Sequence, residues 1–215
     1  MDYAQISDMA APHGLAIFGG FHPDPSDGCP DGTATMLLFG PAEPGFWPRM
    51  MDEPEMHDRA ADPIDRWSTR VVGALAADLQ GAPLFPFGGP PYQPFIAWAS
   101  RTGRAWASPV GMLVHDRDGL MISIRGAIAL PVPVDLPAPG PRPCDACDAP
   151  CRSACPVDAL GPDGYDVAAC HGFLDTAAGR DCMVLGCAAR RACPLSAASG
   201  RLPEQSAYHM RQFHE

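Results

Sequence analysis

The sequence predicts an α+β protein, a small α/β N-terminal domain followed by a compact cysteine-rich module. Three observations carry that reading. Within the first 130 residues, short apolar runs bounded by Gly and Pro flank one long segment of helical periodicity. A proline-dense stretch at 131–143 must run extended and marks a boundary between the two parts. Eight of the nine cysteines then fall between Cys144 and Cys193. A chain of 215 residues is too short for two large domains. The expected division is therefore a domain over 1–130, a linker over 131–143, the module over 144–200 and a tail helix over 201–215.

Residues 14–19 (GLAIFG) and 33–40 (TATMLLFG) read as buried strands, joined by a Pro/Gly loop that holds Cys29. Residues 41–62, rich in Pro, Met and acidic side chains, read as mostly irregular. From Pro63 to Gln80 the apolar residues Ile64, Trp67, Val71, Val72, Leu75 and Leu79 recur at a 3.6-residue period, with Asp62 as N-cap and Pro63 at the first helical position. A short strand is expected over 83–87 and a second helix over 93–102. The runs 110–115 and 120–130 flank Asp116-Arg117-Asp118-Gly119 and read as a hairpin or as consecutive strands. In the tail, Ala207, Met210 and Phe213 are spaced for a helix that packs back on the body.

Composition narrows the chemistry. All fifteen basic residues are Arg, and without Lys there is no Schiff-base nucleophile and no lysine-anchored pyridoxal phosphate. A formal charge of −10 argues against sequence-independent nucleic-acid binding, which needs a basic surface to displace counterions. The N-terminus lacks the basic and apolar regions of a signal peptide, and no stretch approaches the roughly 20 apolar residues of a membrane span. A cytoplasmic protein is expected, and in a reducing compartment clustered cysteines point to metal or redox chemistry. No phosphate-binding G-x-x-x-x-G-K-[ST] loop and no G-x-S-x-G elbow occurs.

The cysteines run Cys144-x2-Cys147-x3-Cys151-x3-Cys155-Pro156, and then Cys170, Cys182, Cys187 and Cys193-Pro194. A [4Fe–4S] cube takes one thiolate per iron, so two cubes take eight. Three closely spaced thiolates can wrap one cube while the following Cys-Pro leaves the loop toward a neighbouring cube. That logic places Cys144, Cys147, Cys151 and Cys193 on one cluster and Cys155, Cys170, Cys182 and Cys187 on the other. Structural zinc, a disulfide scaffold, and one cluster with four structural cysteines are the alternatives.

The run CDACDAPCRSACPVDAL resembles the bacterial-type ferredoxin signature, with one residue inserted between its second and third cysteines. The longer stretch from Trp106 to Pro194, including MLVHDRDGLMISIRGAIALP, is similar to the ferredoxin-bearing part of epoxyqueuosine reductase and related cobalamin-dependent reductases. The resemblance implies a bacterial-type two-cluster ferredoxin module with crossed ligation, and a redox partner protein. It leaves a truncated nitroreductase-like domain as one candidate for the N-terminal unit. Under the reductase alternative that domain would hold a corrinoid receiving electrons from the clusters, and the substrate would be a tRNA. The segment before the module is shorter than that family's cofactor domain, and no residue here matches the family's catalytic acid.

Other residues weigh less. Cys29 reads as a spare packing cysteine, with no cationic neighbour to lower its pKa. The aromatic segment Phe85–Phe95, with Trp98 beyond it, could line a pocket for a planar cofactor or form a rigid connection. His115, His171 and His209 lack an evident paired carboxylate and read as surface or capping residues. Arg190 and Arg191 could neutralise cluster charge, dock an acidic partner or form a solvated basic turn.

Overall fold

The structure, a computed structural model, describes residues 1–161 and 164–215. Along the chain run α1 (Tyr3–Ala10), β1 (Leu15–Phe21), β2 (Thr35–Pro41), α2 (Phe46–Asp52), α3 (Pro63–Asp78), β3 (Ala82–Leu84) and α4 (Phe95–Arg101). Next come β4 (Ala105–Ala107), β5 (Leu113–His115), β6 (Gly126–Leu130), β7 (Leu160–Gly161) and β8 (Gly164–Tyr165). The chain closes on α5 (Val167–Leu174), α6 (Arg180–Leu185), α7 (Ala188–Ala192), α8 (Pro194–Ala198) and α9 (Pro203–His214). The architecture is α+β with small antiparallel sheets. Among the described residues no helix is long and apolar enough to cross a membrane.

The chain divides into two compact units, neither continuous in sequence. The first comprises Met1–Arg104 and Ser123–Gly140, the second Ala105–Ile122 and Pro141–Glu215. Residues 105–122, read from the sequence with the N-terminal domain, thus cluster with the cysteines. The reason is apolar: Val110, Val114 and Leu120 share one buried core with Cys151, Leu160 and Ala189.

In the first unit an antiparallel sheet has the order β1-β2-β6-β3. Its interior strands β2 and β6 are buried at every position, pairing Thr35 with Leu130 through Phe39 with Gly126. Helix α3 packs on β6 and β3 and buries Ile64, Trp67, Val71, Val72 and Leu75. Each such side chain removed from water contributes roughly 1.5–3 kcal/mol. Phe46 of α2 meets the Trp67 ring edge-on at 5.4 Å.

Several local expectations need correction. Residues 41–62, mostly irregular as expected, include one helix the sequence reading did not name, the seven-residue α2, with Pro48 in its first turn, where no helical hydrogen bond is lost. Asp62 precedes α3 but sits in left-handed backbone (φ 52°) and makes no side-chain cap. Helix α1 has no counterpart in the sequence reading, although Asp2 and Gln5 form a capping box. Of the two readings of the runs 110–115 and 120–130, consecutive strands holds and the hairpin does not. Strand β5 pairs with β4, while β6 joins the larger sheet. The proline-rich stretch is extended but pinned, since Thr35 Oγ1 donates to Val132 O and accepts from Val134 N, and Val134 is buried.

Candidate metal centre

Four thiols of the second unit, Cys144, Cys147, Cys151 and Cys193, line one pocket with Ser108, Pro109, Val114, Leu120 and Ala149. Its empty space, open mouth included, is about 280 Å³. Two single-turn 3₁₀ segments, Pro143–Ala146 and Pro150–Arg152, present Cys144 and Cys151, each begun by a proline. Cys193 arrives from the far end of the chain as the C-cap of α7 and N-cap of α8. Burial raises the Cys144 thiol above the ordinary range. Arg142 offsets part of this, and the neighbouring Cys147, Cys193 and Cys151 add to it. Cys151 is raised by burial and by Cys193 and Cys147.

The remaining four form a second neighbourhood. Cys170, on α5, is raised by burial and by nearby Cys187 and Cys155, against the lowering effect of a hydrogen bond with the Tyr165 side chain. Cys182, on α6, is raised by burial and by Cys187, while the backbone N–H of Ala188 favours its thiolate. Cys187 is the N-cap of α7. The eight thiols thus occupy two sets of four, crossed in sequence. Cys193 sits with the first three, and Cys155 with the set drawn from α5, α6 and the start of α7.

Backbone amides serve the sulfurs in both sets. Ala149 N donates to Cys147 Sγ at 3.4 Å, and Ala159 N to Cys155 Sγ at 3.3 Å. Such bonds stabilise a thiolate and a metal-bound sulfur alike. All nine cysteines are free thiols. Among the described residues no three His, Cys, Asp or Glu side chains converge closely enough to hold a single metal ion. The first set lines a space instead, walled by apolar side chains. Four thiols, dry walls and sulfur-directed amides fit a [4Fe–4S] cluster, which bonds each thiolate through a different iron.

Residues outside the cysteines shape this region. Gly119 has left-handed backbone (φ 57°), and a Cβ there would lie 2.9 Å from Cys193 Sγ and 2.4 Å from Ser196 N. The turn that carries it is held by His115, wholly buried, whose backbone exchanges hydrogen bonds with Gly119 at 2.9 and 3.0 Å. His115 Nδ1 lies 2.9 Å from the buried Asp118 carboxylate, and Nε2 lies 3.4 Å from Asp116. The reading of His115 as a surface histidine without a carboxylate partner is therefore corrected. The carboxylates lie one and three residues on, in what the sequence suggested was only a turn.

None of the other candidates is among the residues that line the pocket. His171 is in contact with His214 (Nδ1 to Nδ1, 3.3 Å), which reaches Asp175 at 3.0 Å, so α9 is fastened to α5. His209 lies edge-on to Tyr208. Arg190 is turned inward and donates to Leu120 O at 2.6 Å, whereas Arg191 pairs with Asp181. Neither is a free basic turn. In the first unit Cys29 does have a cation nearby, Arg101, but burial and Asp27 still raise its thiol. Tyr92 is 68% exposed, Phe85 stacks on Phe87, and Trp98 is buried, donating to Asp27 O at 2.8 Å. Sequence reasoning missed Gly119, Ser196 and the inward turn of Arg190.

No protein-family model, curated protein or solved structure matches the chain.

Proposed function

We propose that the protein holds two [4Fe–4S] clusters and transfers electrons between redox partners, with Cys144, Cys147, Cys151 and Cys193 on one and Cys155, Cys170, Cys182 and Cys187 on the other. The observation that carries the reading is the crossed grouping of eight free thiols into two sets of four. When bound, such clusters supply reversible one-electron storage. The chain's own residues hold the thiolates, exclude water with Val114, Leu120 and Ala149, and direct amides at sulfur.

The test is anaerobic reconstitution followed by iron and sulfide analysis. About eight irons per chain are expected, and fewer than about six would sink the two-cluster reading. Zinc in place of iron after purification from iron-replete cells, with no iron uptake on reconstitution, would do the same.

A further inference from the structure

Helix α5 carries His171 and ends on Asp175 as its C-cap, a spacing that puts both on one face of the helix. Asp175 N donates to His171 O at 3.2 Å and closes the turn between them. His214, the last residue of α9, meets both side chains. Its Nε2 lies 3.0 Å from Asp175 Oδ1, and its Nδ1 lies 3.3 Å from His171 Nδ1. An ionised carboxylate only accepts, so Nε2 of His214 carries the proton and, in the neutral ring, Nδ1 keeps its lone pair. That lone pair faces the Nδ1 of a second imidazole.

Two distances say what such a pair fits. The 3.3 Å between the nitrogens exceeds the roughly 2.7–3.2 Å of an ordinary nitrogen-donor hydrogen bond. Two imidazoles on one tetrahedral ion at about 2.1 Å have their nitrogens about 3.4 Å and their ring centroids about 5.3 Å apart. Here the centroids are 5.1 Å apart, closer than rings aimed head-on along the Nδ1–Nδ1 line would stand. The pair is therefore bent off that line, as a shared ion to one side of it requires. Both rings are also held. Phe213 lies against His171 with 4.6 Å between centroids, and stacks in turn on Tyr165. The Asp175 carboxylate fixes the tautomer and direction of His214, as a carboxylate commonly does on the far nitrogen of a metal-binding histidine. The His214 side chain is 21% exposed and that of Asp175 73%, so water reaches the pair.

Going beyond the cluster reading, and independently of it, we propose that His171 and His214 bind one divalent transition ion of the kind imidazole favours, zinc, copper or nickel, through both Nδ1 atoms, with water completing its coordination. Asp175 is a positioning residue, since it orients His214 and does not touch the ion. With two protein ligands against the four of a structural zinc site, the ion is exchangeable. Bound, it ties the end of α9 to α5, the helix that bears Cys170, so the supply of the ion controls how firmly α9 is held there.

The experiment is a Zn²⁺ titration of the full chain after anaerobic reconstitution, on wild type, His171→Gln, His214→Gln, Asp175→Asn and His209→Gln. It is read by bound zinc and by zinc K-edge X-ray absorption. Wild type should take up one more zinc than His171→Gln or His214→Gln, and the extra zinc should show only nitrogen and oxygen neighbours, at about 2.0–2.1 Å. Asp175→Asn should bind it roughly 10–100-fold more weakly. His209→Gln, altered on the same helix, should match wild type. The chains share all eight clustered cysteines, so zinc taken by thiols cancels in the comparison. Should a histidine variant loosen α9 by itself, wild type and Asp175→Asn still decide. Zinc should slow hydrogen exchange at the α9 amides of wild type, and Asp175→Asn should need correspondingly more. Equal uptake by every chain, sulfur around the zinc that the variants lose, or α9 exchange indifferent to zinc would overturn the proposal. A wild-type chain that loads no iron rejects the cluster reading alone, and the same comparison then runs on that chain.

Discussion

At Gly119 a methyl group would have to share space with Cys193 Sγ and Ser196 N. Replacing it by Ala adds left-handed strain of about 1–2 kcal/mol to that overlap. The Gly119→Ala chain should stay folded, by circular dichroism, yet bind roughly half the wild-type iron, because only the set containing Cys193 is displaced. Full loading would show that the turn gives way freely. A second residue-scale prediction concerns Glu55, whose carboxylate is held below the usual range by hydrogen bonds from Arg70, despite burial. A depressed carboxylate stabilises the fold above its ordinary pKa of about 4.3, and that stability is lost as pH falls through the folded value. Glu55→Gln should therefore be less stable than wild type in urea at pH 7. The gap should close in the acid range below about pH 4.3, and a gap constant with pH would refute the assignment.

Among the elements, α9 has the most to do for the second thiol set. It packs on α6, which carries Cys182, and sets Ser206 against Gly186, where φ is 93° and an added Cβ would lie 2.8 Å from Ser206 Cβ, so no side chain fits. Phe213 stacks on Tyr165 and meets the His171 ring at a tilt, 4.6 Å between centroids, and Tyr165 is hydrogen-bonded to Cys170. Deleting residues 203–215 should lower reconstituted iron toward about four per chain, and an undiminished content would free α9 of this role. Helix α3 offers a stability counterpart. Trp67→Ala should cost about 3–5 kcal/mol by chemical denaturation, since the indole is wholly buried against Phe46. Elements also show what sequence could convey. Helix α3 was legible because its apolar residues keep one period over four turns. Helix α2 was not, because Trp47-Pro48 reads as a breaker until the proline is seen to occupy the first turn. Of the candidate centre, the cysteines could be named from spacing. Leu120, Ser196 and Arg190 could not, because they meet across 70 residues or more and carry no local pattern.

At the scale of the whole molecule, no single cut frees the cysteine-bearing unit, because Ala105–Ile122 lies upstream of the strand that completes the other unit's sheet. A fragment of residues 141–215 lacks Ser108, Pro109, Val114 and Leu120, four walls of the first pocket. It should hold the Cys144 set poorly and bind about four irons or fewer, whereas eight would show the upstream segment to be dispensable.

The same interleaving gives the chain a timetable. Strand β6, interior to the sheet between β2 and β3, is the last of that sheet to be synthesised, and Cys144 emerges only after the proline-rich stretch. The ribosome therefore delivers every strand of the first unit's sheet before any of the eight clustered thiols appears. Cys193, the last of the eight to be made, lines one pocket with the first three of them. Until it is made, that earlier trio lacks its fourth neighbour, so the first set is complete only once α7 has been synthesised.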